Sequence, residues 1–385
     1  MDDQLMLIYN GIVISWFAFF VSVGCLLGIV VSCILRLVQR KSVSDVFIVT
    51  MLSVPLGLFF GRILYCLFSN ELLSGFDEYI NLTNGGFGLF GVMLGVFFAV
   101  VIACKVFSCG QVGELLDCIV PGGTLAITIG RFATRFTTSE IGYPVDFKLF
   151  TVYDVKENVY NLAIFDLDGT FEAIILIICL FTFFYTRHKK ASPGLTSLVM
   201  LALHGTNQVL MDSMRADPLM LGINNFIKIS QIIGILCCIS ILVYFMIISA
   251  KKDRFSKFHM ISIPIILVSI FLGVMGEYRV GSTNYISKHL LMLLGMLMLD
   301  WLTLVFAFKS VTVRQTDAVE AKSQSQAYSR QEIPEPVQRY PNGSHSRTSS
   351  RNNGFYSEES GSNSSNGNRK IDYENLKHEL DKLNI

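Results

Sequence analysis

Nine runs of apolar residues, each close to the roughly 20 residues that a helix needs to cross a bilayer, dominate this chain. They lie near residues 12–35, 46–68, 87–107, 115–130, 171–186, 194–211, 228–249, 259–276 and 289–308. Hydrophobic residues make up 52% of the 385 residues and charged residues only 16%, which excludes an ordinary soluble domain. The sequence predicts an all-α, polytopic membrane helix bundle, with seven core spans and about two more at its C-terminal end.

The charges between the runs predict an orientation. Basic residues follow the first, fifth and seventh runs, whereas acidic residues follow the second. The basic groups are Arg36, Arg40 and Lys41; Arg187, His188, Lys189 and Lys190; and Lys251, Lys252, Arg254 and Lys257. Because basic loops stay in the cytoplasm, we expect the N-terminus outside and the C-terminus inside.

Composition changes sharply near Val313, where Ser, Asn, Gln, Arg and Glu replace the apolar residues. We therefore expect a membrane domain at 1–250, an additional two-span membrane segment at 251–312 and a disordered cytoplasmic tail at 313–385. Leucines at helical spacing predict a short amphipathic helix near 369–385. The sequence identifies no partner for this tail.

Polar residues within the spans cluster at their predicted outer ends. The segments are Arg62, Asn84 with Gly85 and Gly86, Gly130 with Arg131, residues 166–172 and residues 208–215. A single basic helix end would be read as an anchor to lipid headgroups. Five segments at one depth favour a shared site in the outer leaflet instead.

The sixth run carries a polar stripe. His204, Gln208, Asp212 and Arg215 recur at i, i+4, i+8 and i+11, so they share one face of a helix. In lipid that face must look into the bundle or into a wet cavity. A binding site and structural hydrogen bonding between helices are both consistent with the stripe.

Other chemistries find little support. The net charge of +1 gives no reason to expect a nucleic-acid partner, and the nine cysteines lack metal-ligand spacing, so neither a metal nor another cofactor is expected. The stretch IFDLDGT at 164–170 matches the nucleophile signature of haloacid-dehalogenase-type phosphatases. That signature requires a soluble Rossmann-like domain, whereas a membrane span begins here.

Several motifs share one order and spacing. Asp117, Pro121, Gly130 and Arg131 follow the pattern D-x3-P-x8-G-R and lead to Gly142. The supporting matches are Gly61-Arg62, NGGFGLFG at 84–91, Phe171-Glu172, Asp212 with Arg215, and Ser230-Gln231. On these residues the chain resembles the bacterial prolipoprotein diacylglyceryl transferase family over roughly residues 10–249.

The chain departs from the family pattern at several polar positions. Phe90 stands where the family has a functionally important histidine, Thr134 replaces the signature asparagine, and Gln208 replaces a second essential arginine. The signature glutamate falls on Ser139, with Glu140 next to it. The family motif HPxQLYE is reduced to DLDGTFE, and a tyrosine of the first span is Phe17.

The resemblance implies a multi-pass enzyme of the bacterial plasma membrane. It would move a diacylglyceryl group from phosphatidylglycerol to the lipobox cysteine of a prolipoprotein, so its partners would be membrane lipid and prolipoprotein signal peptides. The expected catalytic residues are Arg131, His204 and Asp212. The expected lipid-phosphate-binding residues are Arg131, Arg62, Arg135 and Arg215, and the other pocket residues are Gly85, Gly86, Thr134, Glu140, Gly142, Glu172 and Gln208.

The lost polar positions leave a second hypothesis open, a non-catalytic paralogue that binds lipid or lipoprotein. A transporter is less well supported, because the two halves show no repeat of interrupted spans.

Overall fold

The computed structural model describes residues 5–9, 12–68, 86–137, 139–154, 158–189, 191–216, 228–250, 257–278 and 289–311. Within these ranges the chain forms nine α-helices. They are α1 Trp16–Val38, α2 Ser44–Phe68, α3 Leu89–Val106, α4 Val112–Ala133, α5 Ile164–His188, α6 Leu195–Met214, α7 Ile229–Ala250, α8 Lys257–Tyr278 and α9 His289–Val311. The predicted tail, its short helix and Gly85 lie outside the described residues.

The protein is a polytopic membrane helix bundle, as the apolar runs predict. Among the described helices, eight are long and apolar enough to cross a membrane, and α6 is the exception. Every residue from Ala202 to Met214 of α6 is buried. Protein encloses this helix instead of lipid, so it can carry polar side chains that a lipid-facing helix cannot.

The bundle has two apolar cores. One joins α5, α6, α7 and α9, with Val199, Leu242 and Phe306 completely or almost completely buried. The other joins α1, α2, α3 and α4, with Ala99 and Leu115 at its centre. Because α9 packs into the first core, part of the predicted two-span segment belongs to the same bundle as the predicted seven-span body.

The helices α1 and α4 approach each other closely at two glycines. A Cβ added at Gly28 would lie 2.5 Å from the carbonyl oxygen of Gly122, and one at Gly122 would overlap Gly28 and Ser32. Small residues permit such contact between membrane helices. In contrast, a Cβ at the neighbouring Gly123 would meet nothing within 4 Å.

Asp117 holds the start of α6. Its carboxylate accepts hydrogen bonds from the backbone N–H groups of Gly194, at 2.7 Å, and Ser197, at 3.1 Å. These donors belong to the first turn, where helix N–H groups lack intrahelical acceptors. Asp117, the first residue of the D-x3-P-x8-G-R pattern, is therefore a cap supplied by α4 to α6.

Two small sheets interrupt the helical pattern. Strands β1 Leu5–Tyr9 and β2 Ile12–Ser15 form an antiparallel hairpin before α1. Between α4 and α5, the strands β3 Ile141–Pro144, β4 Thr151–Asp154 and β5 Val159–Ala163 form an antiparallel sheet in the order β3-β5-β4. The sequence analysis predicted neither sheet; both consist of strands of only four or five residues.

Polar contacts also tie the C-terminal helices to the body. Thr206 on α6 contacts Asp300 on α9, with 2.6 Å between Oγ1 and Oδ1. Lys228, just before α7, pairs with Glu277 on α8 at 3.0 Å. The predicted domain boundary at 250/251 stays a prediction, although these contacts cross it.

Candidate active site

Three helix ends meet at one end of the bundle. They are the C-terminal ends of α4 and α6 and the N-terminal end of α5. The loop after α4 is tied to α6, because Gly142 of β3 forms a backbone bridge with Arg215. The backbone N–H of Ala216 also donates to the carbonyl of Ile141 at 3.1 Å. Residues distant in sequence are thus brought to one place.

Arg131, in the last turn of α4, is the centre of a polar network. Its Nη1 donates to Glu140 Oε1 at 2.5 Å, and its Nη2 donates to Gln208 Oε1 at 3.1 Å. Its Nε lies 2.8 Å from Asp168 Oδ2. Only 14% of the side chain is exposed, and a buried guanidinium needs such partners. The three contacts fix the plane of the guanidinium.

Glu140 joins the loop to two arginines. Its Oε1 also accepts from Arg215 Nη1 at 3.2 Å, and its Oε2 contacts Thr134 Oγ1 at 3.5 Å. Its φ of 61° lies in the left-handed region, which costs a non-glycine residue about 1–3 kcal/mol and is frequent at functional sites. Burial disfavours its charged form, but Arg131 and Arg215 outweigh burial and hold the pKa of Glu140 below its ordinary 4.5.

The second part of the network lies between α5 and α6. His204 Nδ1 is 2.5 Å from Glu172 Oε1, and both side chains are completely buried. Asn207 Nδ2 bridges two carboxylates, at 2.7 Å from Asp168 Oδ1 and 3.0 Å from Glu172 Oε1. The His204 ring packs edge-on against Phe90, with 5.4 Å between centroids. The position where the family has a histidine is therefore adjacent to a histidine on another helix.

This network contains more acidic than basic side chains. Two guanidinium groups, Arg131 and Arg215, lie among four carboxylates, which belong to Glu140, Asp168, Glu172 and Asp212. Asp212 lies 3.8 Å from Arg215. Any anion that reaches Arg131 must therefore compete with carboxylates already bound to it. In the part of the chain that the structure describes, no three His, Cys, Asp or Glu side chains are placed to hold a metal ion.

The structure brings together most of the predicted site residues. These are Arg131, Thr134, Glu140, Glu172, His204, Gln208, Asp212 and Arg215. The polar stripe of α6 does face the bundle interior, since all of its members from His204 to Asp212 are buried. The roles assigned to these residues stay predictions.

The two other predicted phosphate-binding arginines have different surroundings. Arg62 on α2 donates to the carbonyl of Gly86 at 3.2 Å and lies over the ring of Tyr65. Arg135 is 61% exposed and pairs with Asp166 at 2.8 Å. Arg135 is thus more exposed than Arg131, and its role in phosphate binding stays a prediction.

The predicted pocket glycines act through the backbone. A Cβ at Gly142 would lie 2.9 Å from the carbonyl oxygen of Met214 and 2.9 Å from Ile164 Cδ1. Gly86 has a φ of 74° and contacts the ring of Tyr65. Both glycines permit a close approach of chain segments near the site.

Sequence analysis missed Asp168 and Asn207, which both contact the network directly. Asp168 lies one helical turn before Glu172, so an i, i+4 pair of acids at the start of a span was the available signal. Asn207 lies three residues after His204, next to the polar stripe of α6, so this i, i+3 spacing was the available signal.

An apolar groove of about 230 Å³ adjoins the network. Its walls come from α5, α6, α9 and the segment 139–163 that carries strands β3 to β5, which we call the sheet loop. The residues that line it include Phe147, Phe150, Leu167, Phe171, Leu210 and Leu293. Leu167 precedes Asp168 on α5, so the groove and the network occupy neighbouring faces of the same helix.

Fold and site together define a multi-pass membrane protein with a buried arginine–carboxylate–histidine network at one end of its bundle. The family model described as prolipoprotein diacylglyceryl transferase matches residues 4–249. The chain belongs to this family. The match covers α1 to α7 and ends before α8 and α9.

Relatives agree with this assignment. Three similar proteins are each named phosphatidylglycerol–prolipoprotein diacylglyceryl transferase. The protein from Finegoldia magna is 24% identical over 235 residues, which cover 60% of this chain and 90% of that protein. The protein from Acaryochloris marina is 25% identical over 59% of this chain and 84% of its own length. The protein from Clostridioides difficile is 22% identical over 66% and 97%.

Proposed function

We propose that this protein transfers a diacylglyceryl group from phosphatidylglycerol to the lipobox cysteine of a prolipoprotein. Its place of action is the plasma membrane of a bacterium. Family membership supports the reaction, and the names of the relatives supply the two substrates. The observation that carries the proposal is the fixed guanidinium of Arg131, which lies at the end of α4 beside a buried His–Glu pair.

The reaction sets two chemical requirements. The cysteine sulfur forms a bond to the glycerol carbon of the lipid, and the bond from that carbon to the phosphate oxygen breaks. The electron pair of the broken bond leaves with glycerol phosphate, so a cation must stabilise the phosphate. The thiol must lose its proton, because the thiolate is the nucleophile and a free cysteine has a pKa of about 8.5.

Arg131 meets the first requirement. A guanidinium presents two parallel donors that match phosphate oxygens, and its plane is already fixed by Glu140 and Gln208. Arg215 supplies a second guanidinium at the same glutamate oxygen, 3.2 Å away, and Asp212 lies beside it. We assign to Arg215 the work of the arginine that the family has at the position of Gln208.

His204 meets the second requirement. Glu172 holds its Nδ1, which leaves Nε2 as the nitrogen that can accept the thiol proton. Within the described residues His204 Nε2 makes no hydrogen bond. In this proposal the base has moved from the third helix to the sixth, because Phe90 has no proton-accepting atom.

The apolar groove accounts for the rest of the lipid. Its lining of Phe, Leu and Met side chains suits an acyl chain, and it runs beside the helix face that carries Asp168. The signal peptide of the prolipoprotein is the other membrane-embedded partner in this proposal.

A transfer assay tests the proposal. Purified full-length protein in phosphatidylglycerol vesicles with a labelled diacylglyceryl group is mixed with a lipobox peptide. With the label in the glycerol backbone of that group, we expect label on the peptide that survives mild alkali, because alkali cleaves the acyl esters but not the thioether. A peptide with serine in place of the cysteine is the control and should stay unlabelled. Absence of labelling at any enzyme concentration would contradict the proposal.

One observation favours a second candidate, a non-catalytic paralogue that holds anionic lipid. Glu140, Asp168 and Gln208 already contact all three guanidinium nitrogens of Arg131, and Phe90 replaces the family histidine. This candidate predicts saturable phosphatidylglycerol binding without transfer to the peptide. The same vesicles and peptide therefore distinguish the two.

A further inference from the structure

Asp168 has an unusual position for an acid in a site that must receive a phosphate. Its carboxylate is 3% exposed and lies 2.8 Å from Arg131 Nε. Asn207 Nδ2 donates to it at 2.7 Å, and Gln208 Nε2 lies 3.4 Å from both of its oxygens. Donors from α4 and α6 thus converge on one carboxylate from α5.

Such a set of donors is suited to oxyanions in general. A guanidinium and two side-chain amides offer N–H groups and no negative charge, and they would bind phosphate oxygens as they bind carboxylate oxygens. Gln208 is oriented for this purpose, because its Oε1 accepts from Arg131 Nη2 and its Nε2 points to Asp168. Glu140 would still hold Arg131 from the other side if Asp168 left.

We infer that Arg131, Asn207 and Gln208 form an oxyanion-binding site for the lipid phosphate, and that the carboxylate of Asp168 is its resident competitor. The phosphate of the lipid enters by displacing Asp168, so Asp168 lowers the affinity for anionic lipid. This inference rests on the proposed function for the identity of the ligand. It assigns a part in binding to Asp168, which lies in the stretch DLDGTFE where the family has HPxQLYE, and to Asn207 on α6.

The polar atoms around Asp168 are consistent with an exchange of partners. Within the described residues, Asn207 Oδ1, Glu172 Oε2 and His204 Nε2 are buried and make no hydrogen bond. Buried polar atoms without partners are uncommon and mark sites where the network can rearrange around a ligand. Phosphate bound by Arg131 would bring its leaving oxygen and the lipid carbon to the same network as His204.

Equilibrium binding to an Asp168→Asn variant tests the inference. Dioctanoyl phosphatidylglycerol is titrated into purified full-length protein in a neutral detergent, with inorganic phosphate and dioctanoyl phosphatidylcholine as parallel probes. Asparagine keeps the shape of the side chain but not its charge, so it competes less well for Arg131. We expect the variant to bind phosphatidylglycerol about tenfold more tightly than the wild type, or more.

The three probes identify the source of the phosphate. A gain for phosphatidylglycerol alone assigns the site to the lipid headgroup. An equal gain for inorganic phosphate supports the oxyanion site and shows that Asp168 competes with the phosphate group itself.

Two further variants control for indirect effects. Asp146→Asn removes one negative charge from the exposed sheet loop and should leave the affinity unchanged. Adding Arg131→Ala to Asp168→Asn should abolish the gain, because the gain depends on that guanidinium.

Other outcomes overturn the inference. If Asp168→Asn and Asp168→Ala both bind the lipid as weakly as the wild type or more weakly, Asp168 only positions Arg131. If neither variant folds, the Asp168–Arg131 pair is required for the fold and cannot be exchanged for a ligand. Failure of the proposed function has a different signature, in which affinity rises in Asp168→Asn but no variant transfers the diacylglyceryl group.

Discussion

Glu140 is the residue on which two arginines of the network converge. The family glutamate falls on Ser139, yet the carboxylate of Glu140 contacts both Arg131 and Arg215. The left-handed backbone at Glu140 accompanies this displacement by one residue. The strained conformation is therefore tied to the ion pairs, which offset its cost.

The Glu140→Gln variant should lose stability at neutral pH, by about 1–3 kcal/mol, because two partly buried arginines lose a charged acceptor. The pKa of Glu140 is lowered in the folded protein, so its contribution to stability is present above its ordinary pKa of 4.5 and is lost as the pH falls through the folded value. Thermal unfolding in detergent should show a gap between wild type and variant at pH 7 that closes below pH 4.5. A gap independent of pH would contradict the assignment.

The His204→Gln variant separates a base from a packing residue. Glutamine can still donate to Glu172 but accepts protons poorly, so transfer should fall by about 10²- to 10⁴-fold while phosphatidylglycerol binding stays unchanged. Phe90→His in the same background places an imidazole next to the lost one and should restore part of the activity. Full transfer activity in His204→Gln would show that His204 only packs against Phe90.

Sequence patterns located the site residues on α6 better than those on α5. The stripe from His204 to Arg215 follows helical spacing, and each of its residues contacts another member of the network. Asp168 belonged to the polar segment 166–172, but it was not chosen as a site residue, because the only motif that named it was a phosphatase motif that the chain does not support. Which acid pairs with which arginine depends on how α4, α5 and α6 meet, and no single-helix pattern contains that information.

The contact between helices α1 and α4 offers a matched pair of substitutions. Gly122→Ala places a methyl group against Gly28 and Ser32, which should destabilise the protein by about 1–3 kcal/mol. Gly123→Ala meets open space and should be neutral or slightly stabilising, since alanine is the better helix former. Melting temperatures in one detergent compare the two. Equal effects would mean that α1 and α4 do not pack as described.

The helices were predictable because a membrane span needs a long apolar run, and such runs are visible in one sequence. The sheet between α4 and α5 was not, because its strands are four or five residues long and pair across a loop. The burial of α6 on all its faces over residues 202–214 was also not predicted. The sequence analysis counted this helix among the spans and expected only its polar face to look inward, whereas α5, α7 and α9 enclose it and permit its polar residues.

The orientation of the whole bundle in the membrane is the most general prediction. Basic residues at the end opposite the site predict that the sheet loop faces outward and the tail inward. In a cysteine-free background, Asp146→Cys in the exposed loop should react with an impermeant thiol reagent in intact cells, and Ser350→Cys in the tail should not. The reverse labelling pattern would place the site on the cytoplasmic face and exclude an outer-leaflet reaction.

The family match ends at residue 249, yet α9 lines the groove and packs against α6. The site of this protein thus includes a wall that the matched region does not contain. The shape of the groove consequently depends on residues that lie outside the matched family region.

The central claim is that Arg131 binds the lipid phosphate during diacylglyceryl transfer, and the Arg131→Lys variant tests it most directly. Lysine keeps the positive charge but loses the planar pair of donors. In the vesicle and peptide assay we expect transfer to fall by about 10²-fold or more in Arg131→Lys, as for the loss of a preorganised oxyanion donor. Arg187→Lys, at the opposite end of α5, should transfer at the wild-type rate. Wild-type transfer by folded Arg131→Lys and Arg131→Ala would contradict the account and reduce Arg131 to a structural ion-pair partner.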